Sequence, residues 1–340
     1  MLRRLKFDIS TIVGEMLDQL PKSVWTSTTT TFLDPALGGG QFVAIIEQRL
    51  RDAGHSEENI ASRVFGYEDN QMRINFAVNK YKLKGTYTVK KFIEESIDMK
   101  FDVVVGNPPF QKADNDAARW VLWIEFVKKA KELSDIVAMI TPQSITSPGP
   151  ISLIQTSCEV LNIDVSKHFN VGSTFCYFVL NKNRENNLTR IITESEVTEK
   201  DISTLPFLPS TINQETLEQL DFLMNRNKRV WKRGELHTSK KSIFTETGKY
   251  KVMHTNAQEL ATNTIHQNLT KIRVAVSLSG YPKFCVIQNQ YVSQACFWTE
   301  FQTLQEATAF ADECNGDFIQ QIMHNFKWSG WNSKEVIQCL

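Results

Sequence analysis

The sequence predicts an α/β protein whose first part forms a mostly parallel sheet covered by helices on both faces. Two observations support this fold class. Short apolar runs alternate with segments of helical spacing along residues 31–180. The run at residues 101–105 is almost continuously apolar, which is typical of a strand buried on both faces. In sheets of this kind, ligands bind at the carboxyl ends of the strands.

The predicted elements follow one another in a regular order. Strands are expected at residues 31–34, 63–67, 86–93, 101–105, 136–140 and 175–180, and helices at residues 41–54, 71–81 and 120–133. The first helix is predicted from the helical spacing of the apolar residues Phe42, Ile46 and Leu50. Polar and proline-bounded stretches indicate a domain boundary between residues 185 and 205. We place it so that residues 1–195 form one domain and residues 196–340 form a smaller one of mixed type.

Composition and charge exclude several classes of protein. The 340 residues are 41% hydrophobic and 22% charged, as in ordinary globular domains. The formal net charge is zero, so nucleic-acid contacts would require a local basic patch. The six cysteines form no C-x-x-C pair, so we expect reduced thiols and neither a metal site nor a disulfide framework. Without a secretory segment or a membrane-spanning apolar run, a cytoplasmic protein is expected.

The first loop with functional character runs from Asp34 to Phe42 and reads Asp-Pro-Ala-Leu-Gly-Gly-Gly-Gln-Phe. Glycines let the backbone approach a ligand closely, and the following helix offers free N–H groups at its start. Such a loop suits a phosphate or an amino-acid carboxylate. The glycine spacing disfavours a dinucleotide. A tight turn without a ligand fits the loop equally well.

The second loop follows the strand at residues 63–67. An acid at this position is placed to accept hydrogen bonds from ribose hydroxyls, and Glu68 is the candidate. Asp69 or Asn70 could instead cap the next helix. Both interpretations can hold together, because the cap and the ribose ligand need not be the same residue.

The third loop reads Asn107-Pro-Pro-Phe110 and follows the most apolar strand. The two prolines fix the backbone and remove two N–H donors. The polar groups that remain are acceptors, namely the Asn107 side-chain oxygen and the Pro108 carbonyl. Beside the flat ring of Phe110, two acceptors suit a planar substrate that carries an –NH2 group. The alternative is a strand that simply ends in prolines.

In this order the three loops resemble the motifs of amino-methyltransferases. They are most similar to adenine-N6 DNA methyltransferases of the gamma order, in which the cofactor motif comes first and the target-recognition region is C-terminal. The resemblance covers roughly residues 8–185 and includes the segment at residues 15–21 with Trp25. It implies a Rossmann-like sheet that binds S-adenosyl-L-methionine, a double-stranded DNA partner and no metal.

The resemblance also implies roles for individual residues. Those expected to line the methionine moiety and adenosine of the cofactor are Asp34, Ala36, Gly38 and Phe42, with Glu68 on the ribose. Asn107 and Pro108 are expected to bind the target amine, and Phe110 to stack on a flipped base. Phe169 lies where the family often has a second aromatic beside that base, although a core phenylalanine is an equal alternative.

Two departures from the family pattern are present. Leu37-Gly-Gly-Gly40 replaces the usual Cys-Gly-Ser-Gly, a permissive change. Lys91 stands where the family often has an acid that binds the adenine amine of the cofactor. Glu94 or Glu95 is a possible substitute for that acid.

A basic patch in the C-terminal region is expected to contact DNA phosphates. Its candidate residues are Arg226, Lys228, Arg229, Lys232 and Arg233, followed by Lys240 and Lys241, against the single acid Glu235. A solvated loop is the alternative interpretation. Base-reading residues cannot be identified from the sequence, because base readout depends on groove geometry.

Three other functions compete with DNA methylation. The same asparagine–proline–proline–aromatic motif serves methyltransferases that act on a protein glutamine amide or on an RNA base amine. A non-catalytic DNA-recognition subunit is the third alternative, and the intact Asn107–Phe110 motif disfavours it. The sequence contains no evident second centre for DNA cleavage. A restriction-modification or orphan methyltransferase is therefore favoured over a fused nuclease.

Overall fold

The structure is a computed structural model that describes residues 9–110, 122–165, 168, 174–237, 244–245, 247–255, 258–328 and 332–340. The chain divides into two compact units. The first comprises Met1–Ile145 and Gly149–Leu205, and the second comprises Thr146–Pro148 and Pro206–Leu340.

The first unit contains six α-helices and nine strands among its described residues. The helices are α1 (Ile9–Asp18), α2 (Ser23–Thr26), α3 (Gln41–Asp52), α4 (Glu57–Arg63), α5 (Gln71–Tyr81) and α6 (Leu122–Leu133). The strands are β1 (Phe32–Asp34), β2 (Val64–Glu68), β3 (Thr86–Val89), β4 (Phe101–Gly106), β5 (Ser134–Pro142), β6 (Cys158–Asn162), β7 (Phe175–Asn181), β8 (Leu188–Ile192) and β9 (Val197–Asp201).

These strands form one sheet in the order β3-β2-β1-β4-β5-β7-β6-β8-β9. The strands from β3 to β5 are mutually parallel, whereas β7 runs antiparallel between β5 and β6. The strand order reverses direction between β1 and β4. In open α/β sheets this switch point is where a ligand crevice forms, outside the carboxyl ends of the strands. The loops after β1 and β4 therefore meet at that crevice.

The sheet is buried on both faces. Side chains along a strand alternate between the two faces of a sheet. Phe32 and Val103 pack in a core with Ile12 of α1 and Ile46 of α3. Val104, next to Val103 and on the opposite face, is also completely buried. The predicted fold class, a mostly parallel α/β sheet covered on both sides, is confirmed.

The structure differs from the sequence-based expectation at the ends of this sheet. β3 ends at Val89 rather than at residue 93, because residues 90–94 leave the sheet and turn toward the crevice. β8 and β9 extend the sheet beyond the expected boundary at residue 195, since β9 pairs with β8 along its whole length. The first unit consequently continues to Leu205.

The second unit combines two small sheets with helices. Its helices are α7 (Gln214–Asn225), α8 (Leu304–Asn315), α9 (Asp317–Asn325) and α10 (Lys334–Ile337). Its strands are β10 (Lys232–Arg233), β11 (Tyr250–Thr255), β12 (Gln258–Thr262), β13 (Ile272–Ser277), β14 (Phe284–Ile287), β15 (Tyr291–Val292) and β16 (Cys296–Phe301). One sheet has the order β10-β16-β13-β14 and the other β12-β11-β15. A core that includes Trp298, Ala275 and Met253 joins the two.

Candidate active site

The loop between β1 and α3 depends on the glycine that directly precedes the helix. Gly40 immediately precedes α3 and has a φ of 80°, a left-handed conformation that favours glycine. A Cβ atom on Gly40 would lie 2.6 Å from the Cβ of Ala77 in α5. The loop therefore passes close to α5 only because this position carries no side chain.

Asp34 ends β1 with a buried carboxyl group that is only partly satisfied. Its Oδ1 accepts a hydrogen bond from the Ala36 N–H at 3.0 Å. Its Oδ2 is buried and has no hydrogen-bond partner among the residues that the structure describes. Burial raises the pKa of Asp34 to about 7, and the nearby charge of Glu68 adds to that increase. A carboxylate with an unpaired oxygen at a ligand crevice is a candidate partner for a ligand cation or donor.

Glu68 links the second loop to the first. Its Oε2 accepts a hydrogen bond from the Gly38 N–H at 2.9 Å, and its Oε1 accepts one from Arg73 Nη1 at 3.2 Å. Burial raises the pKa of Glu68, whereas the Gly38 amide and Arg73 oppose that shift. A carboxylate has about four acceptor positions, so Glu68 retains capacity for ligand hydroxyls. The cap of α5 is a separate residue, because the Asn70 side chain accepts from the Met72 N–H.

The third loop begins at the end of β4, where Gly106 lies close to Asp34 and Pro35. A Cβ atom on Gly106 would lie 3.1 Å from Asp34 Oδ1 and 3.2 Å from Pro35 Cδ. The next residue, Asn107, has a buried Oδ1 that no described residue contacts by a hydrogen bond. Pro108 beside it is buried. The loop thus holds an unpaired acceptor one residue beyond the contact between β4 and Asp34.

Phe110 already uses part of its ring for packing. The ring is half-buried and lies against Phe175 at the start of β7, with centroids 5.1 Å apart and planes inclined by 32°. Phe169, the expected second aromatic, lies outside the described residues. Phe175 was not recognised as a site neighbour from the sequence, because Phe110 and Phe175 are distant along the chain and come together only in the fold.

A cleft of about 600 Å³ lies at these carboxyl ends. This volume is within the range of small-molecule sites. It is lined by Pro35, Ala36, Gly38, Glu68, Asp69, Arg73, Lys90, Lys91, Phe92, Ile93, Glu94, Asn107, Pro109, Leu122 and Phe126. The structure therefore brings together the expected residues Ala36, Gly38, Glu68 and Asn107 on the cleft wall, whereas Asp34, Pro108 and Phe110 are not among the residues that line it.

Phe42 differs from its expected position. It lies in the first turn of α3, is 6% exposed and packs in the core rather than along the cleft. The physical reason is the direction of its helix face, because the apolar period that includes Phe42 faces the sheet. Phe42 supports α3 and does not line the cleft.

The segment at residues 90–94 forms one wall of the cleft. Lys91 Nζ pairs with Glu94 Oε2 at 3.1 Å, and the Lys91 N–H donates to Glu95 Oε1 at 2.7 Å. Glu94 and Glu95 are the two candidates for the acid that is missing at position 91, and Glu94 is the one that lines the cleft. Phe92 is buried and packs on Phe126, with ring centroids 5.0 Å apart. Sequence reasoning missed these two aromatics and Arg73, although the apolar Phe92-Ile93 pair after a strand was a usable signal.

Only some of the cations in the predicted basic patch of the second unit line a common groove. Lys228, Arg229 and Lys232 are exposed and line a groove of about 470 Å³ together with Val230, Trp298, Thr299 and Glu300. The guanidinium of Arg229 lies 4.2 Å from the centre of the Phe301 ring, and Lys232 Nζ lies 5.3 Å from that of Trp298. Arg233 is exposed and donates to the Gln294 carbonyl.

Arg226 is excluded from this groove by its own contacts. It forms an ion pair with Glu313 at 2.6 Å, and its side chain is only 18% exposed. Glu235, the acid within the patch sequence, pairs instead with the buried Arg273 at 3.1 Å. It therefore does not neutralise the groove cations. Lys240 and Lys241 lie outside the described residues.

Three further features of the part of the chain that the structure describes bear on its chemistry. No group of three or more histidine, cysteine or acidic residues there is arranged to hold a metal ion. The described helices fall short of the length and apolarity that a bilayer span requires. All six cysteines are unpaired thiols.

Comparison with known proteins supports the sequence resemblance. Residues 23–171 match the Eco57I restriction-modification methylase family. No curated protein sequence matches the chain. The matched segment contains all three loops of the cleft, from Asp34 to Phe110.

Solved structures show weaker similarity. A protein described as a class I S-adenosylmethionine-dependent methyltransferase from Listeria monocytogenes is 12% identical over 54% of this chain and 64% of its own, with a TM-score of 0.43. A type I restriction-modification methyltransferase subunit from Streptococcus thermophilus is 16% identical over 51% of this chain and 47% of its own (TM-score 0.38). The type IIG restriction endonuclease BpuSI is 11% identical over 98% of this chain and 57% of its own (TM-score 0.45).

The matched region thus spans between 47% and 64% of the length of those proteins. Because their TM-scores are between 0.38 and 0.45, these solved structures carry no argument about the function of this chain. The functional interpretation depends on the family match together with the cleft geometry. Residues 23–171, the segment that carries all three loops of the cleft, are therefore similar to the Eco57I restriction-modification methylase family.

Proposed function

We propose that the protein is a site-specific DNA methyltransferase that transfers a methyl group to the N6 amine of an adenine in double-stranded DNA. The unpaired, buried Oδ1 of Asn107 carries this proposal. A buried acceptor without a partner is unfavourable unless a ligand satisfies it. The position of Asn107 on the wall of the cleft makes a substrate N–H the natural partner.

The two acceptors of the third loop would activate the amine. An adenine amine is a poor nucleophile, because its lone pair is delocalised into the ring. Asn107 Oδ1 accepts one of its hydrogens and the Pro108 carbonyl accepts the other. These contacts draw the nitrogen toward tetrahedral geometry and stabilise the positive charge that develops on it. The methylated nitrogen then loses one of its two protons to solvent. Positioning of the amine in line with the methyl donor supplies much of the remaining rate enhancement.

The cleft residues fit S-adenosyl-L-methionine. Gly38 presents its backbone beside Glu68, and Asp34 keeps an unpaired buried oxygen next to the same loop. In this assignment Asp34, Ala36 and Gly38 hold the methionine end, and Glu68 accepts the ribose hydroxyls. When bound, S-adenosylmethionine supplies an activated methyl group. In this assignment Glu94 and Phe92, which line the same cleft, would hold its adenine.

The target base must leave the duplex to reach Asn107, which costs a few kcal/mol of unstacking and unpairing. In the proposed role, Phe110 recovers roughly 1–3 kcal/mol by stacking on the base. Its packing on Phe175 holds the ring in place beforehand. Preorganisation of this kind reduces the entropy lost on binding.

The groove in the second unit is the proposed site for the DNA backbone. Lys228, Arg229, Lys232 and Arg233 are exposed cations that can neutralise phosphates, whereas Arg226 is not assigned this role. The second unit then serves as the target-recognition region and the first as the catalytic domain. A DNA substrate and six unpaired thiols both favour action in the cytoplasm.

The test is transfer of radiolabelled methyl from S-adenosylmethionine to unmethylated double-stranded DNA, followed by nucleoside analysis. Labelled N6-methyladenine is the expected product. If label appears in RNA or protein instead, the substrate is an RNA base amine or a protein glutamine amide, and the proposal is wrong. Cofactor binding without any transfer would replace it with a non-catalytic subunit.

A further inference from the structure

Arg73 carries a positive charge at a position that its own helix does not favour. It is the third residue of α5, where the positive end of the helix dipole repels a cation. The first turn of α5, every residue of which the structure describes, contains no acid that would offset this charge. By contrast, the first turn of α4 carries Glu57 and Glu58. The charge of Arg73 is therefore explained by a partner outside the helix.

That partner is Glu68 at the end of β2. Arg73 Nη1 lies 3.2 Å from Glu68 Oε1. The side chain of Glu68 is only 5% exposed, whereas that of Arg73 is 62% exposed and lines the cleft. The other carboxylate oxygen, Oε2, accepts a hydrogen bond from the Gly38 N–H at 2.9 Å. Arg73 and Gly38 thus each hold one oxygen of a buried carboxylate.

The surroundings of Glu68 favour its protonated form. Burial and the neighbouring Asp69 raise the pKa of Glu68, whereas the Gly38 amide and Arg73 lower it. Asp34, at the end of β1, is a further acid close to Glu68, since the charge of Glu68 contributes to the raised pKa of Asp34. Glu68 consequently lies between two other acids, and a cation is needed to keep all of its charge.

The remaining charged groups of the cleft near Glu68 follow β3. The Lys90 N–H donates to the Glu68 carbonyl at 2.9 Å, and its Nζ lies 5.4 Å from the centre of the Tyr67 ring. Lys91 and Glu94 pair with each other at 3.1 Å. Among the described residues, Arg73 is therefore the cation that contacts the Glu68 carboxylate directly.

We propose that Arg73 is a positioning residue that keeps Glu68 ionised and fixes one of its oxygens for the ribose of the cofactor. An ionised carboxylate accepts hydrogen bonds at both oxygens, whereas protonation turns one oxygen into a donor. This inference rests on the proposed function, because it takes Glu68 as the ribose ligand of S-adenosylmethionine. It assigns to Arg73 an effect that passes through Glu68 and requires no contact between Arg73 and the ligand.

The experiment measures the affinity of the full-length protein for S-adenosylmethionine by calorimetry at several pH values. The quantity compared is the Kd of each variant divided by the wild-type Kd at the same pH, so that the titration of Asp34, common to all the proteins, cancels. For Arg73→Gln this ratio is expected to be about 1–3 at about pH 8.5 and to rise to roughly 10 at about pH 5.5. The sign follows from the pKa of Glu68, which is higher without Arg73, so that the ionised form is lost as the pH falls.

Two further variants separate the charge from other effects. Arg73→Lys restores a cation, and its ratio is expected to stay below about 3 at every pH. Lys80→Gln is the matched control, because Lys80 is an exposed cation in the last turn of the same helix, outside the residues that line the cleft. Its ratio is expected to stay near 1 throughout.

Three results would overturn this inference alone. A loss in Arg73→Gln that is equal at every pH would show that Arg73 contacts the ligand directly. A ratio near 1 at every pH would show that Glu68 needs no cation. The same pH-dependent loss in Arg73→Lys would show that the charge is not its cause. A wild-type protein that binds no S-adenosylmethionine at any pH would instead contradict the proposed function together with this inference.

Discussion

The cleft of the first unit and the groove of the second unit satisfy their polar groups in opposite ways. At the cleft Asn107 Oδ1, and at the end of β1 Asp34 Oδ2, are buried and have no partners among the described residues. In the groove, Arg229 and Lys232 are exposed and rest on aromatic rings. The cleft therefore keeps a few fixed acceptors at a cost in stability, whereas the groove needs only positive charge near a surface. The first arrangement suits the methyl transfer proposed for the cleft, and the second suits the contact with DNA phosphates proposed for the groove.

Gly106→Ala is expected to have the largest effect of the variants that perturb the cleft indirectly. The new Cβ would lie 3.1 Å from Asp34 Oδ1, so the contact between β4 and Asp34 must widen. Because Asn107 follows directly, we expect methyl transfer to fall by roughly tenfold to a hundredfold. The folded state is expected to persist, with a loss of about 1–3 kcal/mol in the free energy of unfolding. Initial rates and thermal unfolding of the same preparation measure both effects, and an unchanged rate would show that the close approach is dispensable.

Asp34→Asn tests whether the unpaired carboxyl group is kept for function. Its pKa is raised from 3.8 to about 7, so the folded state binds more protons than the unfolded state between these values. Stability is therefore lost as pH rises through this window, by at most about 4 kcal/mol. Asp34→Asn removes that loss and is expected to unfold at a higher temperature than wild type at pH 8. Its cofactor affinity is expected to fall roughly tenfold.

Two measurements separate these consequences of Asp34→Asn. Thermal unfolding from pH 5 to pH 8 is expected to show a decline in wild type that is absent in the variant. Calorimetry with S-adenosylmethionine reports the affinity. A variant that is less stable at pH 8 and still binds the cofactor normally would contradict the assignment of Asp34.

The smallest effects are expected in the groove. Lys228→Ala and Lys232→Ala should each weaken DNA binding a few-fold and reduce its salt slope by about 1. Arg226→Ala is the matched control, because its charge is paired with Glu313. It is expected to leave the slope unchanged and to destabilise the unit instead. Equal slopes for all three variants would remove the distinction between groove cations and paired cations.

The sequence predicted best those features that depend on neighbours along the chain. β1, β2, β4 and α5 were confirmed to within one or two residues, because hydrophobic period, glycine and proline mark their ends locally. The meeting of Asp34 with the Asn107 loop also followed from the sequence, since parallel strands bring their carboxyl ends together.

The remaining features depend on partners that are distant in sequence. Arg226 was assigned to the DNA surface because its pairing with Glu313, 87 residues away, is invisible in the sequence. Phe42 was assigned to the cofactor because a motif does not show which way a helix face points. β8 and β9 were missed, since their short alternating strands carry many polar residues.

The most direct test of the central claim is Asn107→Ala, measured beside the surface control Asn183→Ala. Methyl transfer to double-stranded DNA and affinity for S-adenosylmethionine are determined for both variants. If the unpaired Oδ1 binds the target amine, Asn107→Ala loses transfer by roughly a hundredfold or more, while its cofactor affinity stays within about threefold of wild type. Asn183→Ala is expected to match wild type in both. Wild-type transfer by Asn107→Ala would contradict the claim that this asparagine activates the amine.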